Sequence, residues 1–165
     1  DYTAQNRVGM RVMAQALELR LRERMREDLG GTYGVGVTGG YEQIPEERYT
    51  VTVAFGSDPL RAEELRSVVF EELRNLQVEG PSQEDVDKVA EGERRTRETN
   101  VRLNPYWAVQ LIGARASGQD PRFLLDTTTI DAVTIESIQE DARRYLNEDR
   151  VVIVTLLPAE NIGRP

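Results

Sequence analysis

The sequence predicts an α+β domain: a small, mainly antiparallel sheet with helices packed on one face. Three observations lead there. A helical apolar stripe, a glycine stop and a strand-period stretch follow one another between Met13 and Val37. A second strand comes soon after, and helix signals then fill the middle of the chain. The chain closes on Val151-Val152-Ile153-Val154-Thr155-Leu156-Leu157-Pro158, a continuous apolar run that reads as a central strand buried on both faces.

The first helix is expected from Arg7 to Leu29. Met13, Leu17, Leu21, Met25 and Leu29 recur every four residues, with Val8, Val12 and Ala16 beside them, which builds one apolar face. Gly30-Gly31 supplies the left-handed residue that commonly ends a helix. Tyr33, Val35 and Val37 then alternate with Gly34, Gly36 and Thr38, the period of a strand over 32–41. A second strand spans Arg48 to Phe55, with Tyr49, Val51, Val53 and Phe55 on one face. The piece between them lacks a two-residue Asn-Gly turn, so a longer hairpin loop is expected. The small and polar outer face predicts a sheet covered by helices on one side and open to solvent or a ligand on the other.

Ser57-Asp58-Pro59 starts the next helix, with a capping side chain and proline at the first helical position. Leu65, Val68, Val69, Leu73 and Leu76 carry it to Gly80-Pro81. Ser82 to Asp85 opens a very polar helix, read as a solvated face laced with ion pairs, with Arg94, Arg95 and Arg97 at the surface. Asn104-Pro105 opens a further helix through Tyr106 and Trp107, Asp120-Pro121 opens a short one after it, and Thr134 caps the last. Three strands are few for so many helices, so the fold is expected to lack its first strand. The 165 residues are read as one domain that is a piece of a longer chain.

Composition removes several classes of function. Neither histidine nor cysteine occurs, so there is no histidine general base, no thiolate nucleophile and no Cys or His zinc ligand. No D-x-D-x-D-G loop is present for calcium. The net charge of −8 argues against a nucleic-acid partner. No apolar run approaches the roughly 20 residues of a membrane span. Gly34 to Gly39 satisfies G-x-G-x-x-G, yet the dinucleotide fingerprint needs a strand before it and a helix after. Here the glycines lie inside a strand and read as places of close approach. Arg26 and Tyr33 converge on one helix-to-strand junction, where both can donate hydrogen bonds to a carbonyl or a developing oxyanion. Their ordinary reading is a helix-terminal arginine and a core tyrosine.

Arg26-Glu27-Asp28-Leu29-Gly30-Gly31-Thr32-Tyr33 resembles the R-x-x-L-G-x-x-Y segment of the M16 zinc peptidases, the clan of pitrilysin, insulin-degrading enzyme and the mitochondrial processing peptidases. The likeness extends to Leu19-x-Leu21-Arg22, Asn100 to Trp107, Gly118-Gln119-Asp120-Pro121, Val133-Thr134 and Tyr145-Leu146. It covers essentially the whole chain and is most similar to the bacterial branch reading L-G-G-T-Y.

The resemblance implies the LuxS/MPP-like metallohydrolase fold and a C-terminal, substrate-clamping domain. The family's zinc is held in an N-terminal domain by an H-x-x-E-H motif that this chain cannot contain. Arg26 and Tyr33 would then bind substrate carbonyls and stabilise the tetrahedral intermediate of peptide hydrolysis. The implied partners are the zinc-binding N-terminal domain of the same parent chain and a peptide, with a homodimer as a further assembly. The implied compartment is the bacterial periplasm. The chain alone is expected to be inactive, with no metal or cofactor of its own. Two other readings stay open: a non-catalytic M16-like scaffold or peptide-binding subunit, and a module whose glycine-rich strand offers an edge for strand addition.

Overall fold

A computed structural model describes residues 1–125 and 127–158, the side chains of Glu27, Asp28 and Tyr33 apart. Helix α1 (Ala4–Arg22) is capped by the Thr3 side chain, which accepts from the Asn6 amide. It runs into a wide π-helical turn, Glu23–Asp28. Strands β1 (Thr32–Glu42) and β2 (Arg48–Ser57) form an antiparallel hairpin with the expected long loop. Helices α2 (Ala62–Val78), α3 (Gln83–Asn100), α4 (Asn104–Ala116), α5 (Thr128–Asp131) and α6 (Ile135–Tyr145) follow. Capping boxes at Ser82 and Thr134 start α3 and α6, as the polar residues there predict.

Helix α1 is the centre of the core. Met10, Met13, Leu17 and Leu21 are fully buried, and so are Val12, Ala14 and Ala16. A helix buried this far around has neighbours on both sides. One side meets the hairpin's inner face, where Val35, Val37, Val51, Val53 and Phe55 line up. The other meets α2, α3 and α6, which contribute Leu65, Leu76, Val86, Val89 and Ile138. The helices therefore lie on one face of the sheet, as expected. On the opposite face Gly34, Gly36, Thr38, Thr50, Thr52 and Ala54 are all exposed.

Polar ties fix α1 against its helical neighbours. Arg20 donates to Glu72 at 3.0 Å and to the Gly80 carbonyl at 2.8 Å, joining α2 and its C-terminal turn. Arg11 donates to both oxygens of Glu93 in α3, and the Gln15 amide adds a further bond at 2.8 Å. Helix α3 is thus not wholly a solvated face. Glu93 is buried and joins it to the core, while Arg94 and Arg95 do form surface ion pairs with Asp131 and Glu91.

The glycine-rich strand divides into two behaviours. A Cβ built on Gly39 would sit 2.7 Å from Met10 Cγ and 3.0 Å from its carbonyl, so α1 does approach closely there. Gly34 and Gly36 have nothing within 4 Å of that position.

The final apolar run requires a correction. Residues 151–158 form no strand, and among the described residues the sheet has two strands, β1 and β2. Val152, Val154 and Leu156 are 90%, 78% and 93% exposed, whereas Val151, Ile153 and Leu157 are 44%, 50% and 63% exposed. The period of two survives without the sheet. One set leans on α2, where Ile153 shares a groove with Phe70 and Arg74, and the other faces outward. The physical reason is backbone pairing. A doubly apolar strand is buried only when neighbouring strands take its N–H and C=O groups. No backbone hydrogen bond joins 151–158 to another described residue.

Two substitutions test this core. Gly39→Ala forces a Cβ against the Met10 carbonyl and is expected to lower unfolding stability by about 1–3 kcal/mol in urea titrations. Burial pushes the Glu93 carboxyl up, but hydrogen bonds and charge from Arg11, with the Gln15 amide, outweigh it and hold the group below its ordinary value. Its contribution is complete above the ordinary glutamate range and disappears as pH falls through the folded-state value. Glu93→Ala should therefore cost about 1–3 kcal/mol at pH 7, with the gap to wild type closing in acid.

Candidate functional site

The helix-to-strand junction is built from two local irregularities. The first is the π-helical turn Glu23–Asp28, in which the backbone widens by one residue. Met25 stays fully buried on it, while Arg26, next in sequence, is exposed. Arg26 forms no hydrogen bond or ion pair with another described residue. Most arginines elsewhere are engaged: Arg11, Arg20, Arg61, Arg74, Arg94 and Arg122 all pair with carboxylates.

The turn ends as the glycines predict. Gly30 takes a φ of 55°, and the Gly31 amide donates back to the Met25 carbonyl at 2.9 Å. Space at Gly31 is tight, because a Cβ there would meet Leu65 Cδ2 at 2.8 Å and the Arg61 guanidinium at 3.1 Å. Arg61 also donates to the Leu29 carbonyl at 3.2 Å, which ties the junction to the start of α2.

The second irregularity is at Tyr33. Thr32 pairs with Ser57 and Gly34 with Gly56, so β1 spends one residue more than β2 across this step. Tyr33 is that extra residue, placed at a bulge of the strand. The Thr32 hydroxyl stitches the bulge, donating towards the Gly34 and Gly56 carbonyls at 2.9 and 2.7 Å and accepting from the Gly34 amide at 3.1 Å. The two predicted residues thus flank the Gly30-Gly31 stop, Arg26 on the π-helical turn before it and Tyr33 at the bulge after it. The side chain of Tyr33 lies outside the described residues.

Three residues of this corner were not singled out from sequence: Glu18, Thr32 and Arg61. Glu18 accepts from the Val37 amide at 3.0 Å and from Arg22, fastening the last turns of α1 to β1. It also occupies an amide of the glycine-rich strand, which weakens the strand-addition reading at that point. Its only sequence signal is the four-residue spacing to Arg22, common on any helix.

No zinc site is formed from these residues. The chain has neither His nor Cys, and among the described residues no group of three or more carboxylates gathers to hold a metal. Among the described residues no helix is long and apolar enough to cross a membrane.

Comparison with known proteins bears on the family and the fold. The family model described as the peptidase M16 inactive domain matches residues 1–92. A zinc protease PQQL-like protein of Arabidopsis thaliana is 31% identical over 105 residues, which is 61% of this chain and 11% of that protein. The periplasmic protease PqqL of Escherichia coli superposes with a TM-score of 0.72 at 19% identity, over 87% of this chain and 16% of that one. An inactive peptidase domain from Bordetella parapertussis gives a TM-score of 0.74 at 17% identity, over 97% of this chain and 88% of that one. The chain thus spans a small part of the full-length relatives and nearly all of a solved single domain. It belongs to the M16 peptidase family and corresponds to that family's inactive domain.

Proposed function

We propose that this chain is the non-zinc-binding, C-terminal-type domain of a longer M16 zinc metallopeptidase, closing over a peptide and supplying Arg26 and Tyr33 to it. The observation that carries the proposal is the state of Arg26. It is an exposed cation without a partner among the described residues, carried on a π-helical turn just ahead in sequence of a bulged strand residue. Wide helical turns and bulges concentrate at functional sites because they aim a side chain away from the regular ladder.

The work assigned to this chain is electrostatic. The Arg26 guanidinium and Tyr33 hydroxyl donate to a substrate carbonyl, and those bonds strengthen as negative charge develops on its oxygen. The zinc belongs to a different domain of the parent, consistent with the donor set here. The outer hairpin face, lined by Gly34, Gly36 and Ala54, leaves room for an extended peptide beside the pair.

The test is cleavage of a quenched fluorescent peptide by the parent polypeptide, comparing wild type with Arg26→Ala and Tyr33→Phe. Each substitution should lower kcat by about 10²–10³-fold while leaving the fold unchanged by circular dichroism. Undiminished cleavage makes the pair structural and overturns the assignment. A folded parent that binds peptide without cleaving it establishes the scaffold reading instead.

The same proposal explains the bare run at 151–157. In the longer polypeptide an additional strand pairs with it and completes the sheet. Amide exchange of Val152 to Leu156 should slow by at least ~10²-fold in the parent relative to the 165-residue chain. Equal exchange rates in both would remove this part of the proposal.

A further inference from the structure

Helix α4 is apolar on two opposite faces, and one of them is uncovered. Ala114 is buried on the inner side, and the Trp107 indole donates to the Val101 carbonyl at 2.8 Å. At roughly 100° per residue, Pro105, Val109, Ile112 and Ala116 fall into one stripe on the far side. All four are exposed, Val109 and Ile112 at 67% and 69%. Their 4-3-4 spacing is the ridge that a second helix packs against. Gly113 borders the stripe with nothing within 4 Å of a built Cβ, so a neighbouring backbone can come close.

Charge around the stripe selects its occupant. From Thr99 to Gln119 the charged residues are Arg102 and Arg115 alone, in a chain whose net charge is −8. Both are exposed, and neither pairs with another described residue. Arg115 lies roughly 60° around the helix from Ile112, and Arg102 flanks the helix start. A second copy of this chain is a poor fit. Antiparallel docking of α4 on itself gathers Arg115 and the other copy's Arg102 at the same end of the contact with no carboxylate between Thr99 and Gln119 to balance them, and parallel docking sets like on like. An acidic rim on the partner removes that repulsion and engages both free guanidinium groups.

We propose that the exposed face of α4 docks an amphipathic helix whose apolar stripe is flanked by aspartate and glutamate, contributed by another domain of the same polypeptide. This rests on the reading of the chain as one domain of a longer protein. The docking face is separate in sequence from the Arg26–Tyr33 junction.

The test uses the parent polypeptide with Ile112 replaced by the photo-cross-linking residue p-benzoylphenylalanine. Irradiation followed by peptide mapping should give an intramolecular cross-link to an acidic amphipathic helix of another domain. Adding Arg102→Glu and Arg115→Glu together should cut its yield at least fivefold. A covalent dimer of two parent chains, a cross-link to a segment without acidic residues, or no cross-link at all overturns the inference. A yield indifferent to the charge reversals overturns it as well. Peptide cleavage is measured on the same samples. Cleavage without the cross-link sinks this inference alone, and the cross-link without cleavage sinks the peptidase reading alone.

Discussion

The structure depends on one helix being buried from two sides. Helix α1 carries the hairpin on one face and three helices on the other, and its fully buried Met10, Met13, Leu17 and Leu21 leave little of the core that does not touch it. Such a helix cannot be positioned by apolar contact alone, because hydrophobic packing tolerates sliding more readily than directed hydrogen bonds do. Arg11 to Glu93 and Arg20 to Glu72 set its register against α3 and α2, and Glu18 sets it against β1. The junction after α1 inherits that register. Arg26 sits on the π-helical turn that continues directly from this helix.

Much of this was legible in the chain. The four-residue spacing from Met13 to Met25 marked the buried side of α1, and alternation marked both strands. Capping residues such as Ser82 and Thr134 marked helix starts. These signals are local, so a single sequence carries them. The resemblance around Arg26 and Tyr33 located the junction as well, but the π turn and the bulge that shape it were not visible. Both are one-residue surpluses, decided by how α1 and β2 settle against their neighbours rather than by residue type. Glu93 shows the same limit from another side. Helical spacing from Val86 and Val89 puts this carboxylate on the buried stripe of α3, but the partner that satisfies it, Arg11, comes from another helix and is not marked in the run of charges.

The misreading of 151–158 has a different cause. The apolar pattern predicts a strand buried on both faces, and the chain there forms none, although its exposure still alternates with a strand's period. What a sequence pattern cannot supply is a hydrogen-bonding partner. The hairpin, by contrast, carries its own partner across one loop, which is why both of its strands form where the alternation predicts them, paired from Gly34–Gly56 to Glu42–Arg48.

The placement of sulfur has a consequence for the chemistry of the folded state. The chain has no cysteine, and its three methionines, at positions 10, 13 and 25, are all at or below 1% exposure. Peroxide therefore finds no accessible sulfur while α1 and the turn after it remain seated. A sulfoxide oxygen on Met10 would have to fit beside Gly39, where even a methyl group does not. Once α1 lifts and a methionine is oxidised, the polar sulfoxide opposes its return. Methionine oxidation in this domain is thus gated by unfolding and, once begun, opposes return to the native state.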